Sequence, residues 1–248
     1  MTLSFSIPAH NEEETIATCL ESIRREAATA GVAVEIVVVD NLSTDKTAEI
    51  ARKVPGVKVV REERKGLLFA RQRGFLETNG DLIANIDADI KLSPGWIKKV
   101  LEAFEKNPKL VALSGPHVYY DLSWWSQFVT KVFYFIGYSA HEISRLFTGK
   151  AAMLQGGNFV LRRDALEAIG GFDTTISFYG EDTNIGKRMS RMGEVRFLFK
   201  LPAFASGRRM RKEGVFLTGL RYAINHFWVL AFDKPFTREY SDIRRKPS

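Results

Sequence analysis

The chain has 248 residues, enough for one large domain or for one domain with an appendage. Hydrophobic residues make up 45% and charged residues 26% of the sequence, as in ordinary soluble globular proteins. The single cysteine, Cys19, excludes an internal disulfide bond. The sequence has no secretory signal pattern at its start and no run of about 18 uninterrupted apolar residues. We therefore expect neither a signal peptide nor a transmembrane helix.

The net charge of +7 is concentrated near the C-terminus. From Pro202 onward, ten lysines and arginines stand against four acidic residues. Such a basic segment is typical of contact with nucleic acid, anionic lipid or a phosphorylated substrate, and also of a solvated basic face. Its densest part suits a diphosphate or a lipid headgroup and consists of Arg208, Arg209, Arg211 and Lys212.

The first half of the chain alternates predicted strands and helices. The strand patterns lie at 3–7, 34–39, 57–60 and 82–86. Asn11 and Glu14 have the spacing of a capping box, which predicts that the first helix begins there. Ser93 and Pro94 predict the start of a later helix that runs to about Lys106. Alternation at this spacing predicts a mostly parallel sheet with right-handed crossovers, an α/β fold.

The second half is less regular. A strand or hairpin is predicted at 110–120, strands at 155–161 and 194–199, and short helices at 163–169 and 181–192. The segment 124–147 is a predicted helix rich in aromatic residues, which fits either core packing or an amphipathic helix at a membrane interface. The apolar segment 216–232 holds Arg221, Asn225 and His226, so lying on a surface is favoured over spanning a bilayer.

The triplet Asp87-Ala88-Asp89 directly follows a predicted buried strand. In extended backbone, residues two apart face the same side, so both carboxylates converge at the carboxyl end of the strand. Open α/β sheets bind their ligands at that edge. Paired hard oxygen ligands suit Mg²⁺ or Mn²⁺ shared with a diphosphate, although an isolated D-x-D is more often a solvated loop start.

Further acids end a strand or open a helix. Asp40 ends the second strand at the same edge, where it fits either a hydrogen bond from a nucleobase or a cap on the next helix. Glu181 and Asp182 open a helix, where they fit either a base with a raised pKa or a favourable interaction with the helix dipole. No Walker-type or G-x-G-x-x-G phosphate loop occurs, which argues against a P-loop NTPase or a dinucleotide dehydrogenase.

Six motifs occur in an order that resembles the family 2 glycosyltransferases, which have a GT-A (Rossmann-like) fold. They are Ile7-Pro8-Ala9-His10-Asn11-Glu12-Glu13, Val37-Val38-Val39-Asp40-Asn41-Leu42-Ser43-Thr44-Asp45, Lys65-Gly66 with Ala70-Arg71, Asp87-Ala88-Asp89, Gly170-Gly171-Phe172-Asp173 and Glu181-Asp182. The resemblance covers roughly residues 3 to 200.

The resemblance implies a role for each matching position. The nucleotide-sugar would be bound by Pro8, Ala9, Glu12, Asp40, Lys65, Arg71 and Asp87. Asp87 and Asp89 would hold Mg²⁺ or Mn²⁺, and Asp182 would be the catalytic base. The sugar and acceptor pocket would be formed by Gly156, Gly157, Asn158 and Glu181. Arg208 or Arg209 would stabilise the departing diphosphate.

The sequence departs from the family pattern in two places. Relatives often carry a histidine near the strand after the base helix that completes the metal shell, but the matching stretch here is Ala203-Phe204-Ala205-Ser206. This stretch therefore offers no histidine as a third protein ligand. Asn41-Leu42 replaces the frequent Asp-Gly after the base-contacting acid, which weakens any inference about the nucleobase.

We thus expect a GT-A domain over 1–205 and a basic helical extension over 206–248 that packs on the domain or the membrane surface. The expected reaction is an inverting transfer from a nucleotide-diphospho-sugar to a hydroxyl of a glycan or lipid-linked acceptor. The expected location is cytoplasmic, with peripheral contact to an anionic membrane and no nucleic acid partner. A polyprenyl-phosphate sugar synthase is the nearest alternative, and a non-catalytic basic membrane- or nucleic-acid-binding protein is an alternative of another class.

Overall fold

The computed structural model describes residues 1–148 and 153–237. Its strands are β1 (Leu3–Ala9), β2 (Val34–Asp40), β3 (Val57–Arg61), β4 (Leu82–Ile86), β5 (Lys91–Leu92), β6 (Leu110–Ser114), β7 (His117–Tyr119), β8 (Asn158–Arg162), β9 (Glu194–Phe197) and β10 (Ala203–Ala205). Its helices are α1 (Ile16–Ala30), α2 (Thr47–Arg52), α3 (Leu67–Glu77), α4 (Trp96–Lys106), α5 (Trp124–Thr148), α6 (Arg163–Ala168), α7 (Glu181–Met189), α8 (Arg208–Glu213) and α9 (Val215–Phe232).

A seven-stranded sheet in the order β3-β2-β1-β4-β8-β6-β9 forms the centre of the molecule. All neighbours are parallel except β8, which runs antiparallel to β4 and β6. Strands β1, β2, β4 and β8 are almost wholly buried, as their continuous apolar runs predict for a sheet covered on both faces. The predicted mostly parallel α/β sheet flanked by helices is confirmed.

A small three-stranded sheet, in the order β5-β10-β7, lies beside the Asp87-Ala88-Asp89 turn. Strand β5 begins at Lys91, directly after that turn, and pairs antiparallel with β10. The chain that leaves β10 therefore passes close to Asp89 before α8 begins. This small sheet is what brings the basic C-terminal segment to the acidic edge of the large sheet.

The predicted capping box at Asn11 is wrong, because α1 begins at Ile16. Asn11 has φ 52° and its side-chain oxygen accepts a hydrogen bond from the Thr44 backbone N–H at 2.8 Å. The side chain joins two loops at the carboxyl edge of the sheet instead of capping a helix. The loop that remains between β1 and α1 carries Glu12.

The predicted start of α4 is also too early. Gly95 has φ 75° and precedes the first helical residue, Trp96, whose backbone N–H donates to Glu26 Oε2 at 2.9 Å. A carboxylate on another helix thus accepts a hydrogen bond from the buried N-terminal end of α4. Likewise, the strand predicted from residue 155 begins at Asn158, and Gly156 and Gly157 form a turn before it.

Helices α5 and α9 pack against each other outside the large sheet. The rings of Phe133 and Phe216 are 6.1 Å apart, and a Cβ on Gly219 would lie 2.5 Å from the Phe133 ring. Within the described residues, α9 is the one helix with the length and apolar composition of a membrane span, and 22% of it is buried. Length and composition alone do not decide between spanning a bilayer and lying on a surface, so the surface position stays a prediction.

Candidate active site

A cavity of 670 Å³ opens at the carboxyl edge of the large sheet, under α5, α8 and α9. Twelve of the fifteen residues singled out in the sequence line it: Pro8, Ala9, Glu12, Lys65, Arg71, Asp87, Asp89, Gly156, Glu181, Asp182, Arg208 and Arg209. The three that do not line it are Asp40, Gly157 and Asn158. Residues far apart in the sequence therefore meet in one cleft that combines carboxylates with arginines.

Asp87 and Asp89 lie in the turn between β4 and β5. The backbone N–H of Asp87 donates to the Gly157 carbonyl at 3.3 Å, and the N–H of Ile90 closes the turn on the Asp87 carbonyl at 3.0 Å. Asp89 Oδ2 accepts a hydrogen bond from Arg208 at 2.9 Å. Burial and the neighbouring Glu12 raise the pKa of Asp89 to about 6, against the opposing effect of Arg208.

Arg71 lies below the cleft and connects the Asp87-Ala88-Asp89 turn to the Glu181-Asp182 pair. Its side chain is fully buried, contacts Glu181 and places Nη2 3.2 Å from Asp87 Oδ1. The guanidinium also lies over the ring of Phe159, 4.9 Å from the ring centroid. Burial raises the pKa of Glu181 to about 8, and the nearby Asp182 and Asp87 add to this while Arg71 opposes it. Sequence reasoning placed Arg71 on the nucleotide side. In the structure its guanidinium lies beneath the Asp87 and Glu181 carboxylates.

Asp182 lies in the first turn of α7 and is half-buried. Its Oδ1 accepts the Thr183 backbone N–H at 2.8 Å and its Oδ2 accepts the Gly156 backbone N–H at 3.3 Å. Gly180 precedes the helix with φ 73°, and a Cβ there would lie 2.5 Å from Val229 Cγ2 of α9. Backbone donors thus orient the carboxylate, and α9 supports the loop behind it.

Gly156 and Gly157 leave room for the acidic side chains. A Cβ on Gly157, which has φ 76°, would lie 2.4 Å from Asp87 Oδ2, and one on Gly156 would lie 2.9 Å from Glu181 Oε1. Asn158 points away from the cavity. Its oxygen accepts from Trp96 Nε1 at 3.0 Å, and its nitrogen donates to the Gly115 carbonyl at 2.9 Å. Asn158 therefore holds the glycine turn from the core side.

At the other end of the cleft, Asp40 is buried at the carboxyl end of β2. Its Oδ1 accepts the Ser43 backbone N–H at 3.1 Å. The next residue, Asn41, lines the cavity and ties three loops together, because its side chain bonds the Glu62 and Arg64 carbonyls and the Gly66 N–H. The Asn41 that departs from the family pattern thus fixes the loop that carries Lys65.

Helix α8 places two arginines at the cleft. Arg208 donates to both Glu12 oxygens and to Asp89, and thereby joins the loop after β1 to the Asp87-Ala88-Asp89 turn. Arg209 pairs with Glu213 at 2.8 Å and lies over the Phe178 ring, 5.2 Å from its centroid. Both arginines face the region where a diphosphate was predicted.

Sequence reasoning gave no role in the site to several residues that line the cavity. His226 Nδ1 lies 2.8 Å from Thr183 Oγ1, next to Asp182, and Tyr222 lies one turn earlier on α9. Helical spacing along 215–232 could have placed these two on one face. His117 Nε2 is buried and has no hydrogen-bond partner among the described residues, and burial lowers its pKa to about 4. No motif marked His117 in advance.

The donor atoms present fit a divalent cation. Asp87 and Asp89 supply hard carboxylate oxygens from one turn, and Gly157 keeps the space beside Asp87 Oδ2 open. Within residues 1–148 and 153–237, no group of three or more His, Cys, Asp and Glu side chains is arranged to hold a metal ion. The set therefore suits an ion that takes its remaining ligands from a diphosphate and water, as Mg²⁺ commonly does.

The model of glycosyl transferase family 2 matches residues 4–170, which is more than half of the chain. The chain belongs to this family. A dolichol-phosphate mannosyltransferase from Pyrococcus furiosus is 38% identical over 122 residues, which cover 48% of this chain and 34% of that protein. An undecaprenyl-phosphate 4-deoxy-4-formamido-L-arabinose transferase from Edwardsiella ictaluri is 32% identical over 44% of this chain and 35% of its own. The family 2 chain described here thus spans about a third of the length of these curated relatives.

Solved structures share the fold of this family 2 chain. A mannosyltransferase from Pyrobaculum calidifontis, in complex with GDP-Man and Mn²⁺, matches with a TM-score of 0.71 and 18% identity over 91% of this chain and 62% of that one. A glucosyl-3-phosphoglycerate synthase from Mycobacterium tuberculosis, in complex with Mn²⁺, UDP-glucose and phosphoglyceric acid, matches with a TM-score of 0.61 and 20% identity over 91% and 78%. The predicted GT-A fold is confirmed.

Proposed function

We propose that this family 2 protein is an inverting, metal-dependent glycosyltransferase that moves a sugar from a nucleotide-diphospho-sugar to the hydroxyl of an acceptor. One observation carries the proposal: the Asp87-Ala88-Asp89 turn and the Glu181-Asp182 pair face one cleft and are linked through Arg71. The first pair suits the donor diphosphate and the second suits the acceptor. The Mn²⁺ complexes of the structural neighbours support the same assignment.

The proposed reaction is a single displacement at the anomeric carbon. The acceptor oxygen forms a bond to that carbon while the bond to the diphosphate oxygen breaks, and Asp182 takes the hydroxyl proton. The N–H groups of Gly156 and Thr183 hold the Asp182 carboxylate in place. Arg208 and Arg209 offset charge that develops on the leaving diphosphate. Mg²⁺ or Mn²⁺ held by Asp87 and Asp89 would supply further charge neutralisation there.

The far end of the cavity supports an acceptor with an apolar part. Its walls there come from α5 and α9 and include Phe133, Ile136, Gly137, Gly219 and Phe227. Such walls fit a hydrocarbon chain better than a free glycan, because apolar surface gains free energy when it leaves water. The lipid-phosphate names of the curated relatives support a lipid-linked acceptor, and they equally support the alternative of a polyprenyl-phosphate sugar synthase.

The outer surface of the same two helices supports peripheral membrane contact. Its large exposed apolar side chains, which we call the α5–α9 face, include Trp124, Trp125, Phe128, Phe135, Leu146, Phe216, Leu217 and Phe232. Trp124 is 78% exposed and Leu146 is 81% exposed. An apolar patch of this extent on a basic protein is typical of an interface, and tryptophan favours the headgroup region of a bilayer. We infer a cytoplasmic protein that rests on an anionic membrane surface.

Thermal unfolding with a panel of nucleotide-sugars tests the proposal. A donor at about 100 times its Kd should add about 2.7 kcal/mol to the free energy of unfolding. We expect this stabilisation for one donor, only with Mn²⁺ or Mg²⁺, and not in Asp89→Ala. Folded protein that responds to no donor would contradict the proposed activity and would favour a non-catalytic binding protein.

A further inference from the structure

The Arg208 guanidinium lies where it neutralises the acidic donor site. Its Nη2 is 2.8 Å from Glu12 Oε1 and 2.9 Å from Asp89 Oδ2. Three separate elements meet at this point: the loop after β1, the turn after β4 and the first residue of α8. Asp89 and Arg208 are therefore paired with each other before any donor binds. This pair must separate before either side chain can take its proposed role in donor binding.

This contact differs from an ordinary surface ion pair because two carboxylates share one cation. Glu12 is buried, Asp89 is half-buried, and Asp87 lies in the same turn. Without a positive charge, acids this close would repel each other. A positive charge at this site offsets that repulsion, and in this structure Arg208 supplies it.

We propose that Arg208 exchanges with the divalent cation: it occupies Asp89 while the donor is absent and moves to the diphosphate when donor and metal bind. The inference rests on the proposed function. Metal bound at Asp89 would repel a guanidinium on the same oxygen, whereas the diphosphate offers that guanidinium a bidentate partner. Metal and nucleotide therefore bind cooperatively, and the metal alone binds weakly.

The surroundings of Arg208 allow its side chain to move while α8 stays in place. The N–H of Gly207 donates to Asp121 Oδ1 at 2.6 Å, and Arg211 pairs with Asp121 at 3.0 Å, so the helix is anchored independently. Arg209 is held by Glu213 at the far end of the helix. The Arg208 side chain itself is 31% exposed. In the proposed exchange, the Arg208 side chain changes its rotamer while α8 stays in place.

The test measures Mn²⁺ binding to the full chain by electron paramagnetic resonance, with and without UDP or GDP. For the wild type we expect weak Mn²⁺ binding alone and about 5- to 150-fold tighter binding with the correct nucleotide, the usual range of coupling between two ligands. Arg208→Gln should shift the two affinities in opposite directions: Mn²⁺ alone binds more tightly and the nucleotide binds more weakly. The coupling between them should largely disappear.

Two further variants separate this exchange from other effects. Arg196→Gln removes an arginine charge on β9, outside the residues that line the cleft, and it should leave the Mn²⁺ affinity and the coupling as in the wild type. Arg208→Lys keeps the charge but lacks the fork of donors, so its Mn²⁺ affinity should lie between those of wild type and Arg208→Gln. Thermal unfolding verifies that each variant is folded. If Arg208→Gln does not fold, the Mn²⁺ affinity of Arg208→Lys is compared with that of the wild type instead.

The outcomes distinguish this inference from the proposed function. Unchanged or weaker Mn²⁺ binding by Arg208→Gln, in a protein that still binds nucleotide, would overturn the exchange alone. Wild-type protein that binds neither UDP nor GDP would overturn the proposed function as well. Opposite shifts in Arg208→Gln, with Arg196→Gln unchanged, would support the exchange.

Discussion

Arg71 lies beneath Glu181, fully buried, and its guanidinium contacts the Glu181 carboxylate. The same guanidinium reaches Asp87, so one positive charge faces two acids. Glu181 is the more buried of the two acids, and burial raises its pKa against the opposing charge of Arg71.

The raised pKa of Glu181 predicts a pH dependence of stability. Its usual value is 4.5 and its value in the folded protein is about 8, so between these values the folded state binds more protons than the unfolded state. The free energy of unfolding should therefore fall as the pH rises through this window. Urea unfolding from about pH 5 to about pH 8.5 measures it. Glu181→Gln, which cannot ionise, should give a flatter profile, and an equally steep profile would contradict the assignment.

The role of Asp182 predicts a loss of turnover without a loss of donor binding. Asp182→Asn keeps only one of the hydrogen bonds from Gly156 and Thr183, because an amide has a single accepting oxygen, and it cannot accept a proton. The rate should therefore fall by about 10²- to 10⁴-fold for a hydroxyl acceptor. A phosphate acceptor is already ionised near neutral pH, and with it the loss should be small. Turnover with each acceptor class, together with the nucleotide affinity by calorimetry, distinguishes the proposed enzyme from a polyprenyl-phosphate synthase. Undiminished turnover with a hydroxyl acceptor would exclude Asp182 as the base.

The glycine turn beside Asp87 predicts a specific sensitivity to a single methyl group. Gly157→Ala places a Cβ against the Asp87 carboxylate, whereas Gly170→Ala has a similar φ, 77°, and nothing within 4 Å of its Cβ. Each change should cost about 1–2 kcal/mol of stability through left-handed backbone strain. Gly157→Ala should cost more than this, because the Asp87 side chain must also shift. Only Gly157→Ala should lose the metal-dependent stabilisation by the donor in thermal unfolding. Equal ligand responses of the two variants would show that the space beside Asp87 is not needed.

The α5–α9 face predicts binding to lipid vesicles. Each large apolar side chain that enters the bilayer adds about 1.5–3 kcal/mol, so replacing Trp124 and Trp125 by serine should weaken binding by about tenfold or more. Co-sedimentation with anionic vesicles measures the effect, and raised salt should also weaken binding because the protein is basic. Leu76→Ser is the control, since Leu76 is 65% exposed on α3, outside this face. An equal loss in that control would contradict a localised interface.

Much of the fold and the site could be predicted because the signals are local. The apolar runs before Asp40 and Asp87 mark buried strands, and parallel strands bring their carboxyl ends together. The errors came from long-range contacts. The Asn11 side chain accepts a hydrogen bond from Thr44 on another loop, and the Trp96 N–H donates to Glu26 on another helix. The helix starts predicted from local capping patterns were therefore wrong. Short-range patterns cannot report which distant partner competes for a polar group.

The contribution of the C-terminal segment to the cleft was harder to predict. Arg208 was expected at a diphosphate, and its pairing with Glu12 and Asp89 depends on the small sheet that places β10 next to β5. Two strands this short leave little signal in the sequence. His226 was noted only as a polar residue in an apolar helix, because its neighbour Thr183 lies on another element.

The close packing of Gly180 against Val229 makes α9 part of the proposed active site. A chain shortened at Ala205 would retain the strand ends and the Asp87-Ala88-Asp89 turn, yet it would lose the support behind Asp182. No minimal core without the C-terminal helices is therefore to be expected. A displacement of α9 would be transmitted to Asp182, so the surface that we propose to rest on a membrane would also set the alignment of the proposed base.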